Sequence, residues 1–114
     1  MLVFIVGFMG AGKTTLGRRL AKILDCEYLD LDQAFEEKFH FSIYNFFDRF
    51  GEDKFRDIEH QLLVETVSSN DNVVISTGGG TPCFYDNMQL MNDNGKTIYI
   101  NMHVNSLKHR LLKS

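Results

Sequence analysis

A chain of 114 residues with 44% hydrophobic and 24% charged residues has the size and composition of one small folded domain, not of a disordered tail. Its net charge of −3 excludes the basic footprint of a nucleic-acid binder, and no run of Lys and Arg marks a membrane surface. No internal repeat, low-complexity tract or linker divides residues 1–114, which read as a single domain.

Residues 1–9 are apolar but too few to span a bilayer, and they lack the charged leader and small-residue cleavage site of a signal peptide. Residues 2–6 read instead as a parallel strand buried on both faces. Residues 7–12 follow as a loop, and residues 13–24 as a helix with Leu16, Leu20, Ile23 and Leu24 on one face. Residues 27–31 form a short strand that ends at Asp30 and Asp32. The helical pattern of residues 33–69 breaks near Phe41-Ser42 and Phe50-Gly51, where Ser42 is placed to cap one helix and Gly51 to end another. Residues 73–76 form an apolar strand followed by Thr77-Gly78-Gly79-Gly80. A helix over 87–94 stops at Gly95, a strand covers 97–101, and residues 105–114 open a last helix. Cys26 and Cys83, far apart and without C-x-x-C spacing, read as reduced, partly buried thiols of a cytosolic protein. The four histidines form no H-x-x-x-H pair.

Alternating strands and helices predict a three-layer α/β/α fold on a mainly parallel sheet. Ligands of such sheets bind beyond the carboxyl ends of the strands. Three polar clusters fall at those ends, so the glycine loop, Asp30 with Asp32, and the glycine triplet are predicted to meet in one crevice.

Gly7-x-x-x-x-Gly12-Lys13-Thr14 matches the phosphate-binding P-loop pattern without a gap, between a strand and an amphipathic helix. Glycines let backbone N–H groups approach phosphate oxygens, and the helix adds its positive N-terminal dipole. Lys13 is placed to bridge the β- and γ-phosphates and the Thr14 hydroxyl to ligate Mg²⁺. The fold class is therefore a P-loop NTPase of the nucleoside-monophosphate-kinase type, binding ATP or a close relative.

Asp30 and Asp32, flanking Leu31 on one strand, point to the same side. Opposite a P-loop, one can hold the metal through water and the other orient or deprotonate an attacking hydroxyl. The alternative is a solvated helix cap, since Asp32 precedes Gln33-Ala34-Phe35-Glu36. Arg56 and Glu59 stand three apart on a helix, so Glu59 can fix an Arg56 fork presented to an anion. An exposed helical ion pair is the alternative. Gly78, Gly79 and Gly80 suggest close approach of a ligand to the backbone, against the alternative of a flexible turn. Phe35, Phe39, Phe46, Phe47, Phe50 and Phe55 are spaced as core, with one or two available to wall a ring-shaped substrate.

Five ordered features together resemble the shikimate kinase family: GFMGAGKTT at 7–15, LDLD at 29–32, FDRFGEDKFRDIE at 47–59, STGGG at 76–80 and TIYIN at 97–101. The F-x-x-x-G-E-x-x-F-R-x-x-E string discriminates, because generic P-loop kinases lack it. The resemblance implies transfer of the γ-phosphate of ATP to the 3-hydroxyl of shikimate, in aromatic amino-acid (chorismate) biosynthesis, by a cytoplasmic monomer. It implies nucleotide contacts from Gly10, Ala11, Gly12, Lys13, Thr14, Thr15 and Arg110. Mg²⁺ would lie on Thr14 and, through water, on Asp30. Within a substrate-binding helical segment, residues 33–62, Asp32 would contact the shikimate hydroxyls as the base, with Lys13 stabilising the transferring phosphoryl group. Arg56 would bind the substrate carboxylate with help from Gly78, Gly79 and Gly80, Glu59 would buttress it, and Phe47 and Phe55 would line the ring pocket.

The pattern departs at Lys113-Ser114, about where the family's mobile lid begins, ahead of its phosphate-side arginine, second carboxylate-binding arginine, edge strand and adenine-side loop. The expectation for these 114 residues alone is retained nucleotide binding with very weak or absent turnover. Two other readings stand beside it: another small-metabolite P-loop kinase such as a gluconate kinase, and a nucleotide-binding domain without catalysis.

Overall fold

Six consecutive apolar or glycine residues with no polar face leave a strand nowhere to go but the middle of a sheet. A computed structural model of the chain describes residues 1–7, 10–78 and 80–100, with the backbone alone at residues 10–12. In it β1 (Leu2–Gly7) is buried along its whole length. It pairs in parallel with β3 (Val73–Ser76) on one side and β4 (Gly95–Ile100) on the other. β2 (Glu27–Asp30) pairs in parallel with β3, giving the order β2-β3-β1-β4.

The twofold alternation of β1 divides its side chains between two layers. Leu2, Phe4 and Val6 meet α2 (Leu31–Phe39), α3 (Ile43–Phe50), α4 (Glu52–Ser69) and α5 (Asn87–Asn94) through Leu31, Phe35, Phe46, Phe55, Leu62, Leu63 and Met91. Val3 and Ile5 share the opposite layer with Ala21 of α1 (Gly10–Ile23), Val74 and Ile100. Each large side chain sealed in these layers contributes about 1.5–3 kcal/mol. The α/β/α fold expected from the alternation of elements is the fold observed.

Several boundaries differ from expectation. α1 begins at Gly10 rather than Lys13, so Gly10 and Gly12 of the P-loop lie in its first turn. Its sheet-facing stripe is Lys13, Gly17 and Ala21, with Leu20 beside it. Leu16, Ile23 and Leu24, expected on the inner face, are 38%, 73% and 37% exposed. The reason is close approach: a Cβ built at Gly17 would lie 2.2 Å from Cε1 of Tyr28, so the smallest residues mark the contact. β2 ends at Asp30 because Asp30 caps α2, its Oδ1 accepting from the backbone N–H groups of Asp32 (2.9 Å) and Gln33 (3.3 Å). Asp30 and Asp32 therefore do not share a strand face, and Asp30 rather than Asp32 is the cap.

The internal helix breaks follow the sequence. Ser42 Oγ accepts from the N–H of Asn45, and Gly51, at φ 87°, donates its N–H to the Phe47 carbonyl. Gly95 closes α5 through Met91 but also opens β4, two residues earlier than expected. Phe35, Phe46 and Phe55 are core, whereas Phe39 and Phe50 are 39% and 51% exposed. Cys26 is half-buried as expected, but Cys83 is exposed. Among the described residues no helix is long and apolar enough to cross a membrane. Asn101 and the last expected helix, 105–114, lie outside the described residues.

Gly17→Ala is expected to cost about 1–3 kcal/mol of stability through overpacking against Tyr28. Urea unfolding followed by circular dichroism measures it; an unchanged midpoint would mean that α1 sits farther from the sheet.

Candidate active site at the carboxyl ends of the strands

Gly7 ends β1 at φ 143°, where a Cβ would come within 2.1 Å of the Ile100 carbonyl oxygen. Both the dihedral and the space demand glycine here. Phe8 and Met9 lie outside the described residues. α1 opens at Gly10 with no acidic residue in its first turn, so its N-terminal N–H groups and dipole favour an anion. Gly10, Ala11 and Gly12 form that turn, Thr14 is half-buried and Thr15 exposed.

Lys13 is 7% exposed and its Nζ donates to the Thr77 carbonyl at 2.6 Å. Burial lowers its pKa, while the carboxylates of Asp32 and Asp30 oppose that fall. Thr77 is fixed in turn, its N–H and its Oγ1 both donating to the Ile5 carbonyl, at 2.9 and 3.2 Å. Ser76 Oγ donates to the Lys13 carbonyl (3.4 Å) and accepts from the Tyr28 hydroxyl (2.9 Å). The ends of β1 and β3 and the start of α1 are thus joined around one ammonium.

Asp32, in the first turn of α2, stands against Gly78, whose Cβ would be 3.3 Å from Oδ1. Burial pushes the Asp32 carboxyl above the ordinary range, Asp30 pushes it further, and Lys13 pulls it back. Glu59 and Glu36 add smaller upward pushes.

On α4, Arg56 Nη1 donates to Glu59 Oε1 at 3.1 Å, with the side chains 15% and 3% exposed. This is not the solvated helical pair that R-x-x-E would mean on a surface. The guanidinium carbon lies 4.3 Å from the ring centroid of Phe84, 5.3 Å from Phe55 and 5.8 Å from Phe47. Gly80 packs beside it, a Cβ there falling 2.6 Å from Nη2. Phe55 belongs to the core, and Phe47, partly buried, also lines an open hollow of about 610 Å³ with Ile43, Tyr44 and Asp48.

The structure therefore brings Lys13, Asp30, Asp32, Arg56, Glu59, Gly78 and Gly80 to one end of the sheet. Gly79 and Arg110 lie outside the described residues. Thr77 within STGGG, and Thr81, Phe84 and Asn87 outside every sequence motif, also join this end of the sheet. The buried polar trio had a signal, since each lies beside the glycine triplet or on the helix after it, but single Thr and Asn residues carry no spacing rule. Among the described residues no group of three His, Cys, Asp or Glu could hold a metal unaided. The metal-ligating side chains the sequence offers here carry hard oxygens, the Thr14 hydroxyl and the Asp30 and Asp32 carboxylates. That set suits Mg²⁺, which keeps waters and takes one or two protein oxygens beside phosphate.

The sequence pattern of shikimate kinases matches residues 9–114. The chain belongs to the shikimate kinase family. A shikimate kinase of Bacteroides thetaiotaomicron is 50% identical over 109 residues, covering 96% of this chain and 62% of that protein. The crystal structure of a shikimate kinase from the same species superposes with a TM-score of 0.87 at 48% identity, covering 98% of this chain and 66% of that one. A shikimate kinase of Acinetobacter baumannii, solved in complex with shikimate, superposes at 0.85 with 38% identity, covering 91% and 57%. The chain thus spans about 62% of the length of the first of these relatives.

The raised Asp32 carboxyl means that the fold holds this proton more tightly than the unfolded chain does. The stability so contributed is complete below the ordinary carboxylate pKa and is lost as pH rises through the elevated folded value. Asp32→Asn should therefore raise the melting temperature at neutral pH, with the gain shrinking toward pH ~3. Calorimetry across that range tests it; equal melting temperatures at pH 7 would mean that the charge is not desolvated.

Proposed function

We propose that the chain supplies the phosphate-binding and acceptor-binding parts of a shikimate kinase, which transfers the γ-phosphoryl group of ATP to the 3-hydroxyl of shikimate. One observation carries the reading: the glycine run after β3 has the Asp32 carboxylate against its first member and the Arg56 guanidinium against its last. A small acceptor with a hydroxyl at one end and a carboxylate at the other matches that spacing of a base and a cation. Lys13 stands beside Asp32, where the phosphoryl donor would enter.

In this reading the nucleotide phosphates lie on the first turn of α1, against Gly10, Ala11, Gly12, Lys13, Thr14 and Thr15. Thr14 and, through water, Asp30 hold Mg²⁺, which neutralises phosphate charge when bound. Arg56 takes the acceptor carboxylate as a charge-assisted fork, and the backbone of Gly79 and Gly80 completes that subsite. Phe47 and Phe55 flank the ring. Asp32 accepts the proton of the attacking hydroxyl as the new P–O bond forms and the bond from the γ-phosphorus to the bridging oxygen breaks, releasing ADP. Its raised pKa makes it a stronger base than an ordinary carboxylate, so the acid limb of the rate profile moves upward in pH. In-line phosphoryl transfer asks for positioning and charge neutralisation, and these residues offer both.

The test is ADP release at saturating shikimate. Asp32→Asn should lower kcat about 100- to 10,000-fold with little change in the KM for ATP. Arg56→Ala should raise the KM for shikimate about 10- to 100-fold and leave nucleotide affinity intact. Stimulation by gluconate instead of shikimate would transfer the assignment to another metabolite kinase. Nucleotide binding with no acceptor-dependent ADP release would favour a binding domain.

A further inference from the structure

Glu59 is 3% exposed, and both of its oxygens are used. Oε1 receives Arg56, while Oε2 receives the hydroxyl of Thr81 at 2.8 Å. Thr81 opens the short 3-10 turn Thr81–Cys83 and is fully buried. Its carbonyl accepts from Asn87 Nδ2 at 2.9 Å, and Asn87, at the start of α5, is fully buried as well. Because the Asn87 amide nitrogen donates to a carbonyl, Oδ1 is its acceptor, and it lies 2.6 Å from His60 Nδ1. That assignment puts the proton on Nδ1 of His60. The chain of bonds runs from α4 through the turn to α5 and returns to α4 one residue from where it began.

A buried carboxylate that lost one partner would be free to turn, and the cation it orients would turn with it. The same turn supplies Phe84, whose ring lies 4.3 Å from the Arg56 guanidinium carbon, nearer than Phe55 or Phe47. Arg56 Nε is buried with no hydrogen-bond partner. With the Glu52 carboxylate 3.9 Å from Nε as an ion-pair neighbour, the guanidinium is hydrogen-bonded along one edge by Glu59 and covered on a face by Phe84, its plane fixed before any anion arrives. We propose that Thr81, Asn87 and Phe84 are positioning residues for Arg56. Thr81 and Asn87 act through Glu59, and Phe84 acts by stacking, so that the fork is set for the acceptor carboxylate. Fixing the fork in advance reduces the ordering cost of binding and favours a planar carboxylate over a neutral group. This proposal rests on the acceptor reading above for the identity of the anion, but not for the positioning itself.

Two readouts separate those parts, both on the full chain. The first is solvent exchange of the Arg56 Nε–H by ¹⁵N NMR, which needs no acceptor. Thr81→Val, which removes the hydroxyl at nearly constant shape, should speed exchange about tenfold, and Thr81→Ser should restore it. The second is calorimetric affinity for shikimate, for its methyl ester and for ATP. Thr81→Val should weaken shikimate about tenfold, while leaving the ester and ATP within about twofold. Phe84→Leu should act in the same direction and decides the matter if Thr81→Val does not fold. Unchanged Nε–H exchange overturns the proposal, and so does an equal loss for shikimate, ester and ATP. Faster exchange in a chain whose wild type binds no shikimate upholds the positioning and overturns the substrate.

Discussion

Burying an ammonium is costly unless oxygen surrounds it, and much of this molecule is arranged around that requirement at Lys13. Its Nζ is satisfied by the Thr77 carbonyl, which is available because Thr77 leaves β3 with its own N–H and hydroxyl turned to Ile5. The same charge is balanced by Asp32 in the first turn of α2 and by Asp30 at the end of β2. A parallel sheet brings the ends of β1, β2 and β3 side by side, and only at that edge can three sequence-distant segments answer one cation. The α/β/α fold is in this sense the scaffold of an electrostatic arrangement, and the hydrophobic layers above and below keep it in register.

A second charged assembly stands across the glycine run. Glu59 adds to the cost of ionising Asp32, which Lys13 offsets, while Arg56 pairs with Glu59. Glycine at 78 and 80 favours this density, since a Cβ would crowd the Asp32 carboxylate at 3.3 Å from Gly78 and overlap the Arg56 guanidinium at 2.6 Å from Gly80. A site with alternating charges separated by bare backbone is suited to a small polar anion rather than to an apolar ligand.

Much of this was legible from residues alone. The P-loop spacing, the string around Phe47 to Glu59 and the glycine triplet carry their chemistry in fixed intervals, and Ser42, Gly51 and Gly95 mark helix ends through capping rules that act locally. The face of α1 was not legible, because the hydrophobic period weights Leu16 and Ile23 over Gly17, whereas the actual contact selects small residues. The end of β2 was missed for a related reason: Asp30 satisfies two backbone donors, and a cap one residue before the expected strand end overrides strand propensity. Thr81, Phe84 and Asn87 become meaningful only once the turn folds back on α4, a long-range event with no local signature.

Gly17 carries a consequence beyond packing. It lies one helical turn after Lys13 on the same stripe, and it rests on Tyr28, whose hydroxyl is tied to Ser76. The depth at which the ammonium sits is therefore geared to the bulk present at a position that touches no reactant. Any sequence change that lifts α1 from the sheet there would withdraw the lysine from Thr77 and from the carboxylates together. The charge of this site thus depends, through a lever of one turn, on the absence of a single methyl group.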